Sequence, residues 1–240
     1  MKKYNEIVLS VTAALGLLGL WLQKSLLEKG LDAEGLLIPG CGWGYGLLAV
    51  TLGFLAFALF VTVKPEKGGE FAHSFPKCRI RLGLSVAGAG LVLLYGLSQL
   101  REGDVLMGAA AAAACAGMAL AAPGRVTGNR PLPLGHILVC VFYIFRLISS
   151  FRGWSADPQI QDYVMKLLAL VSLMLFALHR ASCDAGTMNR RGTAFFGLTS
   201  LYFSLTALGT GEMVLLMLGS ALWAIGAGVN LEPLPALEEE

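Results

Sequence analysis

Residues 46–63 of the chain read GLLAVTLGFLAFALFVTV, an apolar stretch without a charged side chain. A helix rises about 1.5 Å per residue, so a stretch of this length crosses most of the roughly 30 Å hydrocarbon core of a bilayer. A surface helix of a soluble protein would instead carry a polar face. The stretch therefore predicts a helix that spans a membrane.

The composition of the chain also indicates a lipid environment. Of its 240 residues, 56% are hydrophobic and 14% are charged, and the mean hydropathy is +0.69. An ordinary soluble domain carries about a quarter charged residues. A water-soluble fold of this size could not bury so much apolar surface, so we expect an integral membrane protein surrounded by the lipid bilayer, with no nucleic-acid partner.

Similar apolar blocks recur along the chain, separated by short polar connections. They predict eight transmembrane helices, at Ile7 to Leu26, Gly46 to Val63, Leu82 to Leu100, Val105 to Ala122, Leu134 to Ser150, Pro158 to Ala181, Thr193 to Leu208 and Glu212 to Leu231. The fourth block is rich in alanine and only mildly apolar, so seven spans are the alternative. Either count gives an all-α, polytopic transmembrane helix bundle, one domain over residues 1–240 with an acidic tail at residues 232–240.

The distribution of basic residues predicts the orientation, because cytoplasmic loops of membrane proteins carry an excess of Lys and Arg. With the N-terminus inside, twelve of the 18 basic residues fall on the inner side, four on the outer side and two within spans. The inner set is Lys2, Lys3, Lys64, Lys67, Lys77, Arg79, Arg81, Arg125, Arg130, Arg180, Arg190 and Arg191; the outer set is Lys24, Lys29, Arg101 and Arg152. We therefore expect a multi-pass protein of the plasma (cytoplasmic) membrane with both termini in the cytoplasm.

The two halves of the chain show the same order of connections. In each, a longer outer loop precedes a longer basic inner loop and then a very short outer turn, at 101–104 and 209–212. If a duplication produced this order, residues 1–124 and 131–231 form two parallel halves of four spans, related by an axis along the membrane normal. The alternative is a chance likeness between apolar helices joined by short turns.

Charged groups in the fifth and sixth spans mark the predicted ligand site. Arg146 lies about one turn short of the outer end of the fifth span, and a charge at such depth usually faces protein or water and has a partner. Asp162 and Lys166 lie at a similar level in the sixth span. We expect a network that joins Arg146 to Asp162 or Asp157. The alternative is structural, with Arg146 reaching up to the outer interface.

Aromatic and hydroxyl side chains complete this predicted pocket. Tyr143 lies one turn from Arg146 on a stripe of the fifth helix predicted to face inward, and Trp154 follows in the outer loop. Tyr202 and Thr199 belong to the seventh span, whose hydroxyls could serve tight helix packing instead. The predicted ligand-binding set is Arg146, Asp162, Lys166, Tyr143, Trp154, Asp157, Tyr202 and Thr199.

Three functions fit these features. The first is binding or transport of a small molecule or ion through an outward-facing polar pocket between helices five, six and seven, with the first outer loop as its cover. The second is a non-catalytic membrane scaffold or sensor subunit that joins a membrane protein partner or a second copy through small-residue faces, including Gly83, Gly88, Gly90 and Gly219. A membrane-embedded enzyme ranks third, because acid, base and nucleophile do not converge. The sequence predicts no catalytic set, metal site or cofactor.

Overall fold

The computed structural model describes residues 2–32, 36–63, 71–154 and 160–231. These residues form eight main helices: α1 (Lys2–Lys29), α2 (Gly42–Val63), α3 (Arg79–Arg101), α4 (Val105–Ala121), α5 (Leu134–Trp154), α6 (Ile160–Asp184), α7 (Arg190–Ala207) and α8 (Val214–Ala227). Two four-residue helices, Phe71–Ser74 and Gly124–Thr127, and a 3-10 turn, Leu208–Thr210, lie in the connections. The predicted all-α bundle with one helix for each apolar block is confirmed.

Five of these helices, α1, α2, α3, α5 and α6, are long and apolar enough to cross a membrane. The apolar helices α4 and α8 are shorter, with 17 and 14 residues, and α7 has 18 residues. Both short apolar helices pack against the 23-residue α3. The chain is therefore an integral membrane helix bundle in which the two short apolar helices pack against a long one.

Helices α3 to α8 form a ring in chain order, because α8 packs back against α3. Outside this ring, α1 packs on α7, and α2 packs on both α1 and α7. The consequence is that α7 is surrounded by protein, and twelve of its 18 residues are buried. This position explains why α7 is rich in hydroxyl side chains that would be unfavourable in contact with lipid.

The connections divide the bundle into two faces. Face A contains the start of α1, the end of α6 at Asp184, and the segment around Asn230, whose N–H donates to the Ser74 carbonyl at 2.8 Å. Face B contains the end of α1 at Lys29, the turn between α3 and α4, and Glu212 before α8.

Two glycines let α3 and α8 approach each other closely. A Cβ atom on Gly88 would lie 2.6 Å from the Gly219 carbonyl oxygen, and a Cβ atom on Gly219 would lie 2.9 Å from the Gly88 carbonyl oxygen. A larger residue would therefore push the helices apart. A Cβ atom on Gly83 or Gly90 would meet nothing within 4 Å, because both lie on the outward side of α3. These two glycines make no close contact within the described bundle, and their predicted contact with a partner stays a prediction.

The last helix was predicted to end at Leu231, but it ends at Ala227. Beyond it, the Asn230 carbonyl accepts a hydrogen bond of 2.9 Å from Arg190 Nη2, and the Gly228 carbonyl accepts one of 3.1 Å from Arg81 Nη1. A continuing helix would use these carbonyl groups for its own hydrogen bonds. Because the segment is not helical, they are available to accept from other parts of the chain. The acidic tail and the predicted start of the sixth helix at Pro158 lie outside the described residues, and the duplicated halves stay a prediction.

Candidate functional site

The two tyrosines of the predicted pocket point into different helix contacts. Tyr143 on α5 is fully buried, and its hydroxyl oxygen is 2.7 Å from Ser220 Oγ on α8. The Tyr202 hydroxyl on α7 is 2.9 Å from Thr51 Oγ1 on α2. The Tyr202 ring also stacks on Phe54, with 4.1 Å between ring centroids. Each tyrosine therefore joins its helix to a different neighbour, and the two do not share a pocket.

The two cations of the predicted site also face different neighbours. Arg146 is half-buried, and its guanidinium carbon is 5.7 Å from the ring centroid of Tyr95 on α3. Its Nε atom is buried and has no hydrogen-bond acceptor in the described part of the chain. Lys166 is 2% exposed, and its Nζ is 2.6 Å from Oε2 of Glu212 at face B. Arg146 is thus directed towards α3, whereas Lys166 is held by the turn before α8.

The remaining predicted residues add no shared site within the described residues. The Thr199 hydroxyl donates to two backbone carbonyls one turn earlier in α7, at 3.0 and 3.2 Å. Trp154 and Asp162 belong to α5 and α6, but their side chains lie outside the described residues, as does Asp157. The predicted network between Arg146 and these carboxylates falls there too. A ligand-binding role for the set stays a prediction.

A buried charged cluster that the sequence reasoning missed lies at face A. Asp184 Oδ2 is 2.5 Å from His136 Nδ1, and Asp184 Oδ1 is 3.5 Å from Arg180 Nη2. The three side chains are between 0% and 4% exposed. The Arg180 guanidinium carbon also lies 3.7 Å from the ring centroid of Phe75. Because a buried charge is costly unless it is paired, the three groups form one electrostatic unit, here called the His–Asp–Arg cluster.

The Arg180 guanidinium has unused hydrogen-bonding capacity. Its Nε and Nη1 atoms are buried without an acceptor in the described part of the chain. A cavity of about 10 Å³ lies against Arg180, His136 and Ser85, which is room for about one water molecule. The cluster contains acid and base groups, but the space beside it is too small for an organic substrate.

A signal for this cluster is present in the sequence. Arg180 and Asp184 lie one helical turn apart at the end of the sixth span, and His136 lies at the start of the fifth. Consecutive spans are antiparallel, so the end of one and the start of the previous one share a face. Arg146 lies deeper in its span than Arg180, which made it the stronger candidate by depth in the sequence.

Wider concave surfaces lie at the periphery of the bundle. One of about 430 Å³, here called the α2 groove, opens between α1, α2 and α6 towards face B. Its walls include Leu26 from α1, Leu47 and Thr51 from α2, and Met165 and Leu168 from α6. Apolar side chains dominate this lining, so the groove suits a hydrocarbon group better than an ion.

The connection after α1 covers the α2 groove at face B. Leu37, Pro39 and Cys41 line the groove. The segment is fixed to the end of α1, because the Ile38 N–H donates to the Gly30 carbonyl at 2.9 Å. The sequence predicted this segment as the cover of a polar pocket between α5, α6 and α7, whereas in the structure it lines an apolar groove beside α1, α2 and α6.

Comparisons of the chain with family models, with curated proteins and with solved structures find no match. Two features of the structure have the size or the charge of a functional site, the α2 groove towards face B and the His–Asp–Arg cluster at face A.

Proposed function

We propose that the protein is a multi-pass membrane protein that binds an apolar or lipid-like small molecule in the α2 groove. The observation that carries this proposal is the groove itself, which is preformed, covered and about 430 Å³ in volume. Ligand pockets typically measure about 300–1,000 Å³ and are mostly apolar with a few polar groups. The α2 groove matches this description in both size and lining.

The surroundings of the groove suit a ligand with one polar end. At its inner wall, the Thr51 hydroxyl pairs with Tyr202, and a hydroxyl can make more than one hydrogen bond. Beside it at face B, the Lys29 ammonium lies 5.8 Å from the ring centroid of Trp43, which in turn meets Trp21 edge-on at 5.3 Å. Tryptophan and lysine in this arrangement are typical of the membrane–water interface. An amphiphile would therefore place its chain in the groove and its polar end at face B.

Binding is favoured over transport by the narrow cavities between the helices. Two cavities between helices near face A measure about 10 and 20 Å³. Each has room for about one water molecule, and neither shares a lining residue with the α2 groove. A solute that crossed the bundle would need a far wider connected path.

The charge distribution supports a cytoplasmic location for face A in a plasma membrane. Face A exposes Lys77, Arg79 and Arg130, and Arg191 is half-buried there. Face B carries acidic and basic side chains together, among them the Lys24–Glu28 pair. Since cytoplasmic loops hold the excess of Lys and Arg, we place both ends of the chain inside and the α2 groove in the outer half of the membrane.

Outward-facing glycines favour a second candidate function, a scaffold or sensor subunit that assembles with a membrane protein or a second copy. Gly83 and Gly90 lie on the outward side of α3, where small residues permit close approach of another helix. A stable stoichiometric partner after purification in mild detergent, together with an α2 groove that takes no ligand, would favour this candidate.

The test of the proposed function is photo-crosslinking of the full-length protein in lipid nanodiscs with a fatty acid that carries a diazirine on its chain. Leu48 and Leu59 are both on α2 and both 55% exposed, but Leu48 lines the α2 groove and Leu59 does not. The larger side chain of Leu48→Trp would occupy the groove. Overfilling a site costs at least about 1 kcal/mol of binding free energy. Crosslinking of the fatty acid to Met165 and Leu168 should therefore fall about fivefold or more. Leu59→Trp should leave it unchanged. Equal crosslinking in both variants, or crosslinks spread evenly over lipid-facing residues, would refute the proposal.

A further inference from the structure

We infer that a second groove, at face A, binds a phospholipid with a net negative headgroup. This groove, here called the α5–α6 groove, has a volume of about 430 Å³ and lies where α5 begins and α6 ends. Pro133 and Ile137 form one wall, and Leu178, Ala181 and Ala185 form the other. It lies at the opposite face from the α2 groove, so the two sites are independent.

The apolar walls of the α5–α6 groove are open to the bilayer. Ile137 is 44% exposed and Leu178 is 52% exposed, and both belong to helices that are long and apolar enough to cross a membrane. His179 also lines the groove, with its ring stacked on Phe196 at 5.0 Å between centroids. Exposed apolar side chains on such helices contact lipid. The part of the groove lined by Ile137 and Leu178 therefore fits one acyl chain.

Polar groups lie at the face A end of this groove. Ser182 Oγ and Thr187 Oγ1 are 2.7 Å apart, and each also contacts the other residue's carbonyl oxygen, at 3.2 and 3.1 Å, which closes the turn after α6. Arg130 Nη1 lies 2.9 Å from the position that a Cβ atom on Gly186 would take. Gly186 stands between Ala185 and Thr187, which line the groove, so the guanidinium lies at its rim. The guanidinium, which carries five N–H donors in a planar fork, is the group here that suits the oxygens of a phosphate.

The backbone explains why the Arg130 side chain can lie there. Gly186 has φ +100° and is the second residue after the end of α6, so it provides a left-handed turn after that helix without a side chain in the way. The carbonyl end of a helix carries partial negative charge, which favours a nearby cation. The guanidinium is thereby held at the rim and still faces solvent, because Arg130 is exposed.

The charge of face A selects the class of headgroup. Lys77 and Arg79 are exposed on the same face, and Arg191 is half-buried there. Basic residues near a membrane surface attract anionic lipids and distinguish them from zwitterionic ones. The occupant that combines an acyl chain, a phosphate and a net negative charge is an anionic phospholipid of the leaflet at face A.

Native mass spectrometry of the detergent-solubilised full-length protein tests this inference, with dioleoyl phosphatidylglycerol and dioleoyl phosphatidylcholine added separately at equal concentration. We expect at least about fivefold more bound phosphatidylglycerol, the preference that one surface cation produces. Arg130→Gln should lower phosphatidylglycerol binding to the phosphatidylcholine level. Arg101→Gln, the same charge change at an exposed position of face B, should leave it unchanged.

A second variant tests the acyl-chain part of the site. Ala185 is exposed and lines the groove, so Ala185→Trp should lower the binding of both lipids. Equal binding of the two lipids to the unaltered protein overturns the inference without any variant. The inference is also overturned if the Arg130→Gln and Arg101→Gln variants bind the same amount of phosphatidylglycerol. It is overturned as well if Ala185→Trp leaves the binding of both lipids unchanged. Because the fatty-acid crosslinks report on the α2 groove near face B, failure of either proposal leaves the other standing.

Discussion

Replacing Asp184 with asparagine probes the His–Asp–Arg cluster, because the substitution removes a charge and keeps the size of the side chain. The Asp184 side chain is 0% exposed, 2.5 Å from His136 Nδ1 and 3.5 Å from Arg180 Nη2. Arg180 is itself 4% exposed, and its Nε and Nη1 have no acceptor in the described part of the chain. The variant therefore leaves a buried cation without its counter-charge.

The expected loss of stability is large for this reason. Removing one partner of a buried ion pair costs about 3–5 kcal/mol, and here one carboxylate serves two neighbours at once. The Lys24–Glu28 pair is a matched control, since it has the same i,i+4 spacing but is 3.8 Å long with side chains 63% and 56% exposed. We expect Glu28→Gln to cost less than about 0.5 kcal/mol.

The measurement is the free energy of unfolding of the full-length protein in mixed micelles, from titration with sodium dodecyl sulfate followed by circular dichroism. The double variant Arg180→Met with Asp184→Asn should recover much of the loss, because it removes the uncompensated charge together with the carboxylate. If Asp184→Asn is no less stable than Glu28→Gln, the cluster is not an electrostatic unit and the reasoning fails.

Two packing predictions can be checked with the same unfolding assay. Gly88→Val should lower the free energy of unfolding by about 1–3 kcal/mol, because its Cβ would meet the Gly219 carbonyl oxygen at 2.6 Å. Gly90→Val should change it by less than about 0.5 kcal/mol, because a Cβ atom there would meet nothing within 4 Å. Equal losses would contradict the close contact of α3 with α8. Tyr143→Phe and Ser220→Ala should show a coupling energy of about 0.6 kcal/mol in a double-mutant cycle, since their hydroxyls are 2.7 Å apart. A coupling energy of zero would show that the two helices are not joined there.

Much of the fold could be predicted because the bilayer imposes it. A chain in lipid has to satisfy its backbone hydrogen bonds within each helix, so apolar blocks correspond to helices. The block at 46–63 accordingly lies within α2, Gly42–Val63. The end of α8 could not be predicted in this way, because it depends on contacts of Asn230 with Ser74 and Arg190 far away in the sequence.

The candidate sites were less accessible to prediction, for a related reason. Helical spacing correctly placed Tyr143 on a buried stripe of α5. Its partner Ser220, like the Asp184 that pairs with His136, depends on how α8 and α6 are rotated about their axes, and hydropathy contains no such information. The α2 groove was hidden as well, because an apolar residue such as Leu168 that lines a groove looks the same in sequence as one that faces lipid.

Accessibility of single cysteines from the two sides of the membrane tests the assignment of the connections to face A and face B. In a full-length variant without native cysteines, Lys77→Cys and Asn129→Cys report on face A, and Lys24→Cys and Glu102→Cys report on face B; all four positions are exposed. A membrane-impermeant maleimide should label the two face B cysteines in intact cells and the two face A cysteines only after permeabilisation. Labelling of a face A and a face B cysteine from the same side would contradict the eight-helix membrane bundle, and a full reversal of the pattern would contradict the cytoplasmic placement of face A.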